Sequence, residues 1–176
     1  MSQNTLIGAL SELEALLSQH PLLSDQLLPP ADSDKLAAIA EAAEIPLPDS
    51  LKILYSWHDG ARNSDDALPT MYLFPDDFHF MFTDWISQEW RFPVTWSRDA
   101  GHPGLPFAKH DTGMFLVNCP DGTVWRTSWD LMVPGWPDGT MRGLINGVCN
   151  VLRAEDDDYA VEISDSGLNW IELEQE

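Results

Sequence analysis

The chain has 176 residues, 44% of them hydrophobic and 22% charged, values that exclude a mainly disordered chain and suit one domain able to bury a core without staples. Nine Lys+Arg against 29 Asp+Glu give a net charge of −20. That field repels nucleic acid and anionic membranes, whose capture needs basic side chains, and it steers cationic partners inward. The same acidity also serves solubility or a salt-rich environment.

Leu6, Leu10, Leu13 and Leu17 form one stripe of an amphipathic helix, which stops before His20-Pro21. A loop with Pro29-Pro30 follows, and Asp32 or Ser33 caps a second helix with Leu36, Ile39, Ala40 and Ala43 on one face. Pro46-Leu47-Pro48 is a rigid connector, with Pro48 suited to the first position of a third helix. Leu51, Leu54 and Tyr55 face inward on that helix, and Gly60 is expected to cap its C-terminus.

Residues 71–74 and 79–82 read as short strands around Pro75-Asp76-Asp77, and Asp84 as the cap of a short helix carrying Trp85, Ile86, Glu89 and Trp90. The clearest hairpin joins 114–118 to 123–127 across Pro120-Asp121-Gly122, where glycine supplies the left-handed turn position. Met141, Leu144, Ile145, Val148 and Leu152 recover the helical period behind a Thr140 cap. Residues 154–176 carry nine acidic side chains and no basic one, but interleaved Tyr159, Val161, Ile163, Leu168, Trp170, Ile171 and Leu173 favour a docked hairpin across Asp165-Ser166-Gly167 over a solvated tail. Helices, then strands, then a helix make an α+β fold in one domain, 1–176.

Chemistry is sparse. No two of His20, His58, His79, His102 and His110 stand at helical ligand spacing. A His58-Asp59 and His110-Asp111 metal set needs a long-range coincidence, so no metal or other cofactor is expected. Cys119 and Cys149 have no CxxC spacing and read as free buried thiols of a cytoplasmic protein. The start lacks a basic stretch before an apolar run, and no apolar run approaches a membrane span. There is no nucleophile elbow and no phosphate-binding loop, so no catalytic residue is assigned. Eight tryptophans are mostly core, with Trp136 in Pro134-Gly135-Trp136-Pro137 the best exposed anchor.

Leu28-Pro29-Pro30-Ala31, then Ile45-Pro46-Leu47-Pro48-Asp49-Ser50-Leu51-Lys52, then Tyr55 and Asp59-Gly60 resemble the opening of the SUKH superfamily, the group of the Smi/Knr cell-wall-assembly regulators. Leu105-Pro106-Phe107-Ala108 and Gly113 before Met114-Phe115-Leu116-Val117 are similar to its second signature, a Pro-Phe-Ala turn leading into central strands. The resemblance spans 28–153, leaving an N-terminal helix over 1–27 and an acidic hairpin or tail over 154–176. It departs at Glu44, where the connector usually carries glycine, and over 61–104.

The resemblance implies an α+β domain with a central, mostly antiparallel sheet flanked by helices and no catalytic residues. Bacterial members are immunity proteins against toxins, and fungal ones are signalling hubs. Pro46, Pro48, Tyr55, Trp57, Asp59 and Gly60 are then fold determinants. The expected function is a non-enzymatic module binding a basic protein, a cognate toxin domain, through Asp76, Asp77, Trp136, Glu155, Asp156, Asp157 and Asp158. A regulatory adaptor of the same fold, and a small-ligand or metal-binding protein using Trp and His58, stay open at this point.

Overall fold

In a computed structural model of the chain, the described residues are 3–61, 71–75, 77–84, 86, 104–111, 113–119, 121–128, 131–134, 139–165 and 167–174. Helix α1 (Gln3–Leu17) buries the leucine stripe, with Leu13 and Leu17 fully enclosed. Each such leucine contributes about 2 kcal/mol of burial. His20 is extended, as a residue before proline must be, and Pro21 then starts one helical turn, α2 (Pro21–Ser24), where a loop was expected. The reason is that proline at the first helical position has no N–H to leave unpaired.

Asp32, not Ser33, caps α3 (Ser33–Ala43): its carboxylate accepts from the Lys35 amide at 2.9 Å. The helix closes in a Schellman pair, Glu44 N–H to the Glu41 carbonyl at 3.2 Å and Ile45 N–H to the Ala40 carbonyl at 3.3 Å. That geometry forces Glu44 to φ 54°, ψ 28°, so the departure from the expected glycine falls on a left-handed residue. Pro48 stands just outside α4 (Asp49–Trp57) as its N-cap, not inside it. At ψ 147° it is extended, and its carbonyl receives the amides of Leu51 and Lys52.

Gly60 also departs from its expected part. His58 ends α4 in an extended conformation, and Gly60, at φ +74°, instead lies where a Cβ would sit 2.5 Å from the backbone of Met81 and Phe82. Neighbouring Asp59 is 3% exposed, and it holds the same segment. Its Oδ1 accepts from the Thr83 amide at 2.7 Å, and its Oδ2 accepts from the Thr83 hydroxyl at 3.0 Å and the Lys35 ammonium at 2.7 Å. The helical turn there starts at Thr83, one residue before the predicted cap Asp84, because Asp59 satisfies its first amide from a distance. Trp85, Glu89 and Trp90 lie outside the described residues.

The strands β1 (Tyr72–Phe74), β2 (Phe78–Phe80), β3 (Gly104–His110), β4 (Gly113–Asn118), β5 (Val124–Ser128), β6 (Leu131–Pro134), β7 (Tyr159–Ser164) and β8 (Gly167–Glu172) make one sheet in the order β6-β5-β4-β3-β2-β1-β8-β7. Every pairing is antiparallel except β1 with β8. The fold is α+β with a mostly antiparallel sheet, as the resemblance implied. Leu105 to Ala108, expected as a turn, lies within β3, and the register shifts between Pro106 and Ala108. A bulge is where a central strand tolerates proline, which has no amide to give the ladder. Strand β6 was not foreseen.

Thr140 caps α5 (Met141–Leu152) as expected, its hydroxyl accepting from the Gly143 amide at 2.9 Å. Helix α1 packs on α4 and α5, and α5 packs on β1 and β7. Phe74, Phe78, Phe80, Phe107 and Phe115 fill the core, joined by ring contacts such as Phe78–Phe115 at 4.7 Å.

Candidate protein-binding site

The C-terminal hairpin assembles the acidic residues. Register Tyr159↔Glu172 sets the start of β7 beside the end of β8, and the Leu173 amide extends the ladder to the Asp158 carbonyl at 2.8 Å. Asp156 shapes the entry, its Oδ1 accepting from the amides of Asp158 and Tyr159 at 3.0 Å each. On the other flank of β8, Asp77 accepts from the Trp170 amide at 3.2 Å. Asp77 holds a left-handed φ of 59°, which aspartate tolerates better than most residues. Residue 77 and residues 156–158, far apart in the chain, therefore stand on opposite flanks of the C-terminal half of β8.

Glu155 is tied to Arg153 at 2.8 Å, and Arg153 also pairs with Glu12 of α1. Asp157 and Asp158 are exposed. Asp76 and Trp136 lie outside the described residues. Sequence reasoning missed Glu172, Glu174, Ile171 and Leu173 at this end; Ile171 is 41% exposed and Leu173 39%. The register of the hairpin already legible in the chain would have pointed to them. The patch thus combines carboxylates with exposed aliphatic surface, the makings of a protein contact. Behind it Trp170 packs on the core and edges Tyr159 at 6.0 Å.

Elsewhere the polar groups serve the fold. Glu14 Oε2 accepts from the Trp57 indole at 2.8 Å and lies 2.9 Å from His58 Nε2, while His58 Nδ1 faces the Leu28 carbonyl at 2.7 Å. His110 packs its ring on Phe78 at 5.7 Å. Among the described residues no group of three His, Cys, Asp or Glu side chains is placed to hold a metal ion. Burial pushes both free thiols, Cys119 and Cys149, up to about 11, which leaves almost no thiolate near neutral pH.

Two recesses stand out among the described residues. One of about 390 Å³ opens between the starts of α4 and α5 and the β4–β5 turn, lined by Pro48, Ser50, Ile53, Asp121, Thr140 and Arg142. The Ser50 hydroxyl there is buried and has no hydrogen-bond partner among the described residues. The other, about 250 Å³, holds the Lys35–Asp59 pair with Asp32 and Asp84 on its walls. The hydrogen bond from Lys35 to Asp59 raises the lysine above its ordinary range, the opposite of what a catalytic amine needs.

The sequence model of the SMI1 / KNR4 family (SUKH-1) matches residues 30–171, from the proline lead-in of α3 to the end of β8. A search among curated proteins finds no match.

Proposed function

Because the chain belongs to the SMI1 / KNR4 family (SUKH-1), we propose that it is a non-enzymatic binding module that neutralises a basic toxin domain inside the cytoplasm. One observation carries the reading: carboxylates from two distant parts of the chain flank the end of β8, with Ile171 and Leu173 exposed between them. A toxin that cleaves or edits nucleic acid must itself be cationic to hold its substrate. An acidic, partly aliphatic patch attracts such a surface over long range and then excludes water from the contact.

Co-expression tests this. The product of the neighbouring gene, supplied as its cationic C-terminal domain, is expected to stop growth alone and to be relieved by this chain. Purified together, the two should associate quickly at low salt, with an on-rate that falls steeply as salt rises. Reversing Asp157 and Asp158 to lysine should slow association about tenfold or more. Unrelieved growth arrest, or an on-rate indifferent to salt, refutes the reading.

A further inference from the structure

Strand β7 ends the strand order, and among the described residues no strand pairs with its outer edge. Its six residues pair with β8 without a bulge, and it contains no proline and no lysine, the usual devices that blunt an edge. The pattern of the ladder says which groups face outward. The Leu173 amide bonds the Asp158 carbonyl, so pairs 160/171, 162/169 and 164/167 exchange hydrogen bonds and the intervening pairs do not. Two other bonds agree. The Trp170 amide points away from β7, to Asp77, and the Tyr159 amide points away from β8, to Asp156.

The N–H and C=O groups of Val161 and Ile163 therefore face the open edge. Among the described residues nothing bonds to them. Their side chains pack inward against the core, so the edge is held in place from behind. What protects it from copying itself is charge. Glu155, Asp157 and Asp158 precede the strand, exposed Glu162 sits in its middle and exposed Asp165 follows it. Two such edges brought together would set carboxylate against carboxylate, while a basic strand would meet attraction along its whole length.

We propose that β7 takes an extended, basic segment of the partner protein as a ninth strand. This rests on the binding function proposed above and specifies how the contact is made. The main chain of Val161 and Ile163 supplies the hydrogen bonds, and the surrounding carboxylates select lysine- and arginine-rich sequence.

The test uses the full chain and a labelled peptide of about ten residues alternating lysine with valine or threonine, with a glutamate twin as control. The lysine peptide should bind, the glutamate peptide should not, and hydrogen exchange at the Val161 and Ile163 amides should slow on binding. Val161→Pro removes one outward amide at an edge position where proline is tolerated, and should weaken binding about tenfold while far-UV circular dichroism stays unchanged. Ile163→Pro gives a second, independent reading should the first variant unfold. If the peptide binds both proline variants as it binds the parent, with no slowed amides, but Asp157→Lys with Asp158→Lys abolishes binding, the edge proposal falls and the acidic-patch reading stands. Absence of peptide binding likewise overturns it, and growth rescue reports separately on the function itself.

Discussion

Replacing Glu44 with glycine tests the backbone reasoning in isolation. Glu44 is exposed, its side chain makes no ion pair or hydrogen bond among the described residues, and it is held at φ 54° by the Schellman closure of α3. A residue with a Cβ in that conformation costs roughly 1–2 kcal/mol, which glycine does not incur. Glycine loses more chain entropy on folding, roughly 0.5–1 kcal/mol, so the net gain is about 0.5–1 kcal/mol. For a domain of this length that corresponds to a rise in Tm of roughly 1–4 °C. Urea unfolding should show a higher midpoint with an unchanged slope. Glu44→Ala is the control, since alanine has the same Cβ and should gain almost nothing. If alanine stabilises as much as glycine, the gain comes from removing one charge of an acidic chain, and the conformational argument is refuted.

Two further outcomes are expected. Asp59→Ala removes the buried partner of Lys35 and the acceptor of the Thr83 amide, and should cost about 3–5 kcal/mol in urea unfolding; a loss below about 1 kcal/mol would contradict the bridging role assigned to it. Asp121 accepts from the Thr123 hydroxyl and amide and from the Asn118 side-chain amide, which together hold its carboxyl below the ordinary aspartate range. Because the folded value is depressed, its contribution is present above the unfolded value of about 3.9 and fades as pH falls through the lower folded one. The Thr123 amide signal followed by NMR should titrate with a midpoint below that of an ordinary aspartate, and Asp121→Asn should abolish the transition.

The local elements were legible where one period or one turn decides them. The leucine stripe of α1, the Thr140 cap, the Asp121-Gly122 turn and the C-terminal hairpin all follow from residues within a few positions of one another. What escaped was set at long range. Pro106 signals a turn locally, yet its strand is fixed by partners on both sides and takes up the proline in a register shift. Gly60 looks like a helix cap until the close approach of Met81 is seen. The carboxylates of Asp77 and of residues 155–158 were visible as charges. Their placement on either flank of one strand was not, because it depends on β8 lying between them, paired in parallel with β1 and antiparallel with β7.

That insertion of β8 has a consequence for synthesis. Strands β1 to β6 can zip together as they emerge, but β1 keeps an unpaired flank until the last strand is made, roughly a hundred residues after it. Gly167 marks the docking point: with φ +111° it presses against Tyr72 so closely that any side chain would collide. A nascent chain halted short of Gly167 would thus present the flank of β1 to chaperones or to other unfinished chains. A stop codon at that point would remove β8 and leave β7 without its partner in the shared sheet, where the charge pattern alone suggests only the loss of an acidic appendage.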